Sequence, residues 1–101
     1  MKQIDREDMR NKTVKIWAKI FDKHARMLQS ETMEDNSAES RTHKIFHALE
    51  EACYRMDLGK PIWLQSNIQE FQRLAKTRFY QDNFMEEIEF AYLEFQVIEE
   101  D

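Results

Sequence analysis

Apolar and polar residues alternate near both ends of this chain, and a period of two is typical of a half-buried β-strand. In residues 13–21 every even position is apolar, and the segment is rich in residue types that favour a pleated surface. A helix is the alternative reading of this segment, because some of its apolar residues also recur at helical spacing: Val14, Trp17, Ala18 and Phe21. The complete alternation favours the strand.

Two more strands are predicted along the chain. Residues 22–25 suit a hairpin turn, so a weaker second strand should follow near residues 26–33. Residues 88–98 alternate again, and they form the third predicted strand. Its apolar side carries Leu93, Phe95 and Val97, and its polar side carries Glu94 and Gln96.

Residues 40–58 have the spacing of an amphipathic helix. The predicted apolar stripe consists of Ile45, Leu49, Ala52, Cys53 and Met56. The polar positions placed off this stripe are Lys44, Glu51 and Arg55. Gly59 and Pro61 follow in the order that is typical of a helix end.

A second helix is predicted after a short apolar connector, residues 62–64. Residues 66–69 match a capping box, in which Ser66 and Gln69 would satisfy unpaired backbone N–H groups. The apolar side of this helix is predicted from the spacing of Ile68, Phe71, Leu74 and Ala75. Residues 77–87 are interpreted as irregular.

The predicted element order is therefore β-β-α-α-β, which favours an α+β fold with a three-stranded sheet and both helices on one face. We expect a polar N-terminal tail at residues 1–12 and a single domain at residues 13–101. Lys15 and Lys19 would lie beside Glu94 if the first and last strands are neighbours, because opposite charges favour such cross-strand pairs.

Composition excludes several classes of function. The chain has one glycine and one proline, so it cannot form a glycine-rich phosphate loop. Its one cysteine, Cys53, fits a reducing compartment. Residues 1–12 have no apolar core of a secretory signal, and no apolar run approaches the length of a membrane span. We therefore expect a cytoplasmic protein that does not associate with membranes.

Charge is distributed unevenly along the chain. The net charge is −5, and residues 79–101 contain no Lys or Arg. That segment holds the acids Asp82, Glu86, Glu87, Glu89, Glu94, Glu99, Glu100 and Asp101. Because such a segment repels phosphate backbones, nucleic acid is not expected as a partner.

The stretches SRTHKIFHALEEAC (40–53), LGKPIWLQSN (58–67) and KTRFYQDNFMEEIEF (76–90) resemble a family of small proteins from anaerobic Gram-positive bacteria. The resemblance covers roughly residues 13–101. It implies a conventional cytosolic bacterial protein, but that family has no assigned activity, so the resemblance supplies no catalytic residues. The polar residues 1–12 depart from the usual short start of the family.

Histidine and cysteine chemistry is weakly indicated. His43 and His47 have the i, i+4 spacing that lets two imidazoles share a zinc ion, with Glu50 or His24 as a further ligand. The position after His43 is Lys44 and not the glutamate that a zinc protease needs, so surface histidines are the simpler interpretation. Cys53 lies on the apolar stripe and is interpreted as a core residue. No metal or cofactor is expected.

The candidate binding surface lies in the segment after the second helix and in the connector before it. This surface consists of Trp63, Lys76, Thr77, Arg78, Asp82 and Asn83. The segment combines charge, hydroxyl, amide and aromatic groups outside regular structure, where binding groups concentrate. Purely structural roles are the other interpretation, with Phe79 and Phe84 filling the core and Arg78 pairing with a neighbouring acid. Trp63 would then cover the core.

The leading hypothesis is a non-enzymatic interaction or assembly module with a protein partner, most simply a homodimer. Trp17, Phe21, Tyr92 and Ile98 would form an apolar patch on the second face of the sheet. The alternative is a ligand-binding protein or small enzyme with Arg78, Asp82 and His43 or His47 in a cleft between helices and sheet. An RNA-binding sheet face is disfavoured by the acidic charge.

Overall fold

A computed structural model describes residues 12–100 of the chain. The elements are β1 (Val14–Phe21), β2 (Met27–Asp35), α1 (Arg41–Arg55), α2 (Gln65–Leu74), β3 (Lys76–Phe79), a 3-10 turn (Gln81–Asn83) and β4 (Tyr92–Glu100). The α+β class is confirmed. The predicted N-terminal tail lies outside the described residues except for Lys12.

The sheet has four strands in the order β2-β1-β4-β3, and every neighbouring pair is antiparallel. The predicted three-stranded sheet is wrong in this detail, because Lys76–Phe79 forms β3 at one edge. Residues 77–79 of this strand belong to the segment interpreted as irregular. Thr77 and Phe79 are buried and Arg78 is exposed, but four residues are too few for alternation to be recognised in the sequence.

The first and last strands are neighbours, as the charge pattern predicted. Lys19 is paired directly with Glu94 across β1 and β4, and a bulge lies between Lys15 and Ile16. Directly paired residues share a face in an antiparallel pair. Ala18 and Phe95 therefore point to the same side of the sheet, and both are completely buried.

Both helices cover that side. The core joins apolar residues of β1 and β4 to the buried stripe of α1 and to Phe71 of α2. Phe71 stacks on Phe95, with ring centroids 5.9 Å apart. The opposite side of the sheet, with Lys19 and Glu94, is covered by neither helix.

Asp22 shapes the turn between β1 and β2. Its carboxylate Oδ1 accepts the backbone N–H groups of His24 at 2.8 Å and Arg26 at 2.9 Å. The Arg26 N–H, with smaller contributions from His24, holds the pKa of the Asp22 carboxyl below its usual value. Ala25 has a φ of 62°, the left-handed conformation that closes the turn. The second strand is predicted in nearly the right place, but it spans Met27–Asp35.

Helix α1 begins after Ser40, whose Oγ accepts the His43 N–H at 3.2 Å. It ends at Arg55 and not at the predicted Leu58. Asp57 adopts a left-handed φ of 57°, and the Leu58 N–H donates to the Cys53 carbonyl at 2.8 Å. This motif ends the helix without the help of glycine.

The predicted stripe of α1 is buried, but one polar residue lies beside it. Lys44 is only 2% exposed, although the sequence placed it off the stripe. Its Nζ donates to the Lys12 carbonyl, where the chain enters β1. Glu51 and Arg55 are exposed as expected.

Helix α2 begins at Gln65, so its N-cap position is Leu64, two residues before the predicted cap at Ser66. The capping side chain is that of Asn67, whose Oδ1 accepts the Leu64 N–H at 3.1 Å. Phe71 is buried, whereas Ile68 and Leu74 are exposed. The predicted apolar side of α2 is therefore only partly in the core. None of the helices in residues 12–100 has the length and apolarity that crossing a membrane requires.

Candidate functional site

The helical layer is divided by a groove. Helix α1 packs on β1 and β2, and α2 packs on β3 at the other edge of the sheet. The space between them, here called the interhelical groove, has a volume of about 220 Å³. It is lined by Arg41, Thr42, Ile45 and Phe46 of α1, by Ile68, Phe71 and Gln72 of α2, and by Trp63 of the connector.

Trp63 connects this groove to the core. Its ring makes edge-to-face contacts with four phenylalanines, and the centroid distances are 5.1 Å to Phe79, 5.5 Å to Phe71, 6.0 Å to Phe46 and 6.2 Å to Phe95. Such contacts fix the orientation of the indole. The Trp63 ring is half-buried, because it contacts core phenylalanines and also lines the groove. Both sequence interpretations, core lid and partner anchor, are therefore compatible with its position.

The Trp63 indole has an unpaired donor. Its Nε1 is buried and has no hydrogen-bond partner among residues 12–100. Indole nitrogen can only donate, and a buried donor without an acceptor costs about 1–3 kcal/mol. An acceptor supplied from outside the described residues would remove this cost.

The rim of the groove exposes apolar side chains on both helices. Phe46 is 48% exposed and Ile68 is 38% exposed. Neither residue was among the predicted binding residues. The sequence signal for Phe46 is its position beside the predicted apolar stripe of α1. The helical spacing of Ile68 predicts a core position instead.

The polar lining of the groove favours an acceptor-rich ligand. The Arg41 Nε donates to the Glu100 Oε2 at 2.7 Å, which leaves the other guanidinium N–H groups available. Thr42 and Gln72 can donate or accept, and no Asp or Glu lines the groove. Arg41 is therefore the one charged residue that lines the groove, and Glu100 offsets part of its charge.

Two of the predicted binding residues are buried in a polar network. Thr77 is 1% exposed and Asn83 is 3% exposed. Asn67 bridges them, because its Nδ2 donates to the Thr77 Oγ1 at 2.9 Å and its Oδ1 accepts the Asn83 Nδ2 at 2.7 Å. Thr77 also donates to the Glu70 Oε1 at 2.7 Å. This network joins α2 to β3 and to the 3-10 turn.

Arg78, Asp82 and Asn83 line a separate polar cleft of about 540 Å³ beside α2. The Arg78 Nε donates to the Glu94 Oε1 at 3.0 Å, and its guanidinium lies 4.6 Å from the Tyr92 ring centroid. A hydrogen bond with Tyr80, followed by that with Glu94, raises the Arg78 pKa above its usual value. Its guanidinium is therefore engaged within the chain. Lys76, half-buried on β3, does not line this cleft.

The histidines lie elsewhere. The His43 Nδ1 is 3.2 Å from the Glu39 Oε1, and His47 lines a cleft with the C-terminal part of β2. Because β2 and β3 are opposite edges of the sheet, neither histidine shares a cleft with Arg78 and Asp82. Within residues 12–100, no group of His, Cys, Asp and Glu is arranged to hold a metal ion.

The uncovered sheet face carries Trp17, Phe21 and Tyr92 of the predicted apolar patch, but charged groups lie among them. Ile98, the fourth predicted residue, lies at the bulge of β4 and is exposed. Phe21 and Tyr92 stack with centroids 5.2 Å apart. The Lys19 Nζ lies 3.8 Å from the centroid of Trp17 and 3.0 Å from the Glu94 Oε2. Many aromatic and charged groups of this face therefore already have partners within the chain. Self-association through this face stays a prediction.

Comparisons of the chain with protein-family models, with curated proteins and with solved structures found no match. The resemblance of residues 40–53, 58–67 and 76–90 to a bacterial family stays a prediction.

Proposed function

We propose that this chain is a non-enzymatic interaction module, and that its interhelical groove binds an apolar segment of a partner protein. The observation that carries the proposal is a groove of about 220 Å³ lined by the Trp63 ring, with Phe46 and Ile68 exposed at its rims. The groove supplies apolar surface, and an apolar side chain of a partner would cover it.

An apolar side chain in the groove would gain free energy by removing apolar surface from water. It would cover the exposed parts of Phe46 and Ile68, at about 25 cal/mol for each Å² of apolar surface removed from water. Aromatic anchors of this kind contribute much of the affinity of protein interfaces.

The partner segment should carry acidic residues as well as apolar ones. The groove is lined by one cation, Arg41, and by no anion. A carboxylate beside Arg41 could bind the guanidinium N–H groups that Glu100 does not occupy. Alternating apolar and acidic residues on an extended segment would satisfy both features of the groove.

The non-enzymatic assignment is supported by the positions of the reactive side chains. Arg78 is bonded to Glu94, Thr77 and Asn83 are parts of the polar network, and Cys53 is buried. His43 and His47 lie on the other half of the molecule. A cytoplasmic location stays part of the proposal.

The experiment is a titration of ¹⁵N-labelled protein with an acetylated heptapeptide of alternating Glu and Leu, observed by NMR. The two indole N–H resonances report on different places, because Trp63 lines the groove and Trp17 lies on the opposite sheet face. We expect the Trp63 resonance to shift, because a peptide in the groove changes the surroundings of the indole ring that lines it. The Trp17 resonance should stay in place.

A matched pair of variants on α2 tests the location. Ile68 lines the groove, whereas Leu74 is exposed on the same helix and does not line it. Ile68→Ser should weaken peptide binding by at least about fivefold, and Leu74→Ser should leave it unchanged. Equal effects of the two substitutions, or a Trp63 resonance that does not move at millimolar peptide, would refute the proposal.

A further inference from the structure

A second cleft, with both apolar and acidic lining residues, lies at the hairpin end of the molecule, away from the interhelical groove. Here called the hairpin-end cleft, it has a volume of about 500 Å³. Its apolar lining comes from the β1–β2 hairpin, the end of α1 and the segment before β4: Ile20, Leu28, Met56, Leu58, Ile88 and Phe90. Leu28 is 57% exposed, so apolar surface is open to a ligand.

All of the charged residues that line this cleft are acidic. Its acidic lining residues are Asp57, Glu86, Glu87 and Glu89, and no Lys, Arg or His lines it. Among residues 12–100, no ion pair involves Glu87 or Glu89. The cleft thus combines open apolar surface with carboxylates that lack counter-charges.

The acidic wall of the cleft is held in place although it has no regular structure. The Gln81 side chain donates to the Glu86 carbonyl at 2.9 Å and accepts the Ile88 N–H at 2.9 Å. The Glu86 Oε1 accepts the Gly59 N–H at 3.0 Å, which fixes the wall to the end of α1. A fixed wall costs little ordering entropy when a ligand binds.

We propose that the hairpin-end cleft binds a basic protein segment with interspersed apolar residues. Apolar side chains of the segment would pack on Leu28 and its neighbours, and Lys or Arg side chains would pair with Glu87 and Glu89. Charge complementarity of this kind sets specificity and increases the association rate. With the interhelical groove, the molecule would hold two segments of opposite charge at separate surfaces.

The test measures the anisotropy of a fluorescent heptapeptide of alternating Lys and Leu. Glu87→Gln with Glu89→Gln removes two charges of the cleft, and Glu39→Gln with Glu99→Gln removes two exposed charges outside it. The cleft variant should weaken binding by about threefold to tenfold more than the control variant. Leu28→Ser should weaken binding as well, whereas a Lys and Ser peptide should bind poorly.

Three results would overturn the proposal. The first is no binding of the Lys and Leu peptide at millimolar concentration. The second is the same loss of affinity in both charge variants, which would mean attraction to net charge alone. The third is equal affinity for the Lys and Ser peptide, which would mean that the apolar lining is not used. The proposed function of the interhelical groove depends on none of these results, because its reporter is Trp63.

Discussion

Lys19 on β1 and Glu94 on β4 face each other across the centre of the sheet, with the Lys19 Nζ 3.0 Å from the Glu94 Oε2. Arg78 on β3 binds the other oxygen of the same carboxylate, at 3.0 Å. The side chains of Lys19 and Glu94 are 11% and 8% exposed, although neither helix covers this face. One carboxylate therefore links β1, β4 and β3, and the surrounding aromatic rings shield it from water.

Removal of the Glu94 charge should destabilise the fold. Glu94→Gln leaves Lys19 as a buried cation without a counter-charge and removes the ion-pair partner of the exposed Arg78, and the expected loss is about 2–4 kcal/mol. The free energy of unfolding in urea measures it. Glu99→Gln is the control, because Glu99 pairs with Lys15 at an exposed position. Equal losses in the two variants would contradict the importance of burial.

The same carboxylate should make stability depend on pH below about pH 5. Burial acts to raise the Glu94 pKa, but the hydrogen bonds and charges of Lys19 and Arg78 outweigh it and hold that pKa below the usual 4.5. A lowered pKa in the folded state gives stability that is present above the unfolded pKa and is lost as the pH falls through the folded one. The difference in unfolding free energy between wild type and Glu94→Gln should therefore shrink from pH 7 to about pH 3. A constant difference would contradict this prediction.

Asn67 should be the most sensitive residue of the polar network. Asn67→Ala removes the acceptor of the Leu64 N–H and of the Asn83 amide, and it removes the donor to the Arg78 carbonyl. Unsatisfied buried groups of this kind cost about 1–3 kcal/mol each, so we expect a loss of at least about 2 kcal/mol in thermal or urea unfolding. Asn36→Ala, at an exposed position, should change stability little.

Ala75 offers a stabilising substitution. It ends α2 with a φ of 56°, a left-handed conformation that costs an alanine about 1 kcal/mol relative to glycine. Ala75→Gly should therefore raise the unfolding free energy by about 0.5–1 kcal/mol. Ala38→Gly is the control, because Ala38 lies outside the elements and is not among the residues with positive φ. A loss of stability in Ala75→Gly would contradict the assignment of strain.

Cys53 should be unreactive while the protein is folded. Burial raises the pKa of its thiol to about 11, so almost no thiolate is present at neutral pH. Labelling with a thiol reagent should follow the rate of unfolding and become rapid in urea. Fast labelling of the native protein would contradict the core position of Cys53.

The long half-buried strands could be predicted because apolar residues face the core and more polar residues face the other side of the sheet, which gives alternation along the sequence. Leu93 and Phe95 are completely buried on one side of β4, and Tyr92 and Gln96 are half-buried on the other. The same argument fails for β3, where four residues give too little pattern. Helical spacing does not predict the burial of Lys44 either, because that burial depends on where the chain before β1 passes.

The candidate site could be predicted only in part. Trp63 is predicted as a binding residue because a tryptophan in a connector either covers the core or anchors a partner. In the structure it lines the interhelical groove. The groove itself depends on how far apart α1 and α2 lie on the sheet, and no local pattern carries that information. Thr77 and Asn83 looked like binding groups because polar residues in an irregular segment resemble a site. Asn67, which makes them structural, lies in another element.

The strand order has a consequence for how this chain acquires its shape. The hairpin of β1 and β2 and the pair of β3 and β4 each join segments that are near in sequence. The pairing of β1 with β4, in contrast, brings together residues as far apart in sequence as Val14 and Glu100. During synthesis the inner edge of β1 stays bare until the ribosome has delivered residues 92–100. Closure of so long a loop makes folding slow compared with a helical bundle of the same size. A nascent chain halted before Tyr92 would present that edge to other chains and would be prone to aggregate.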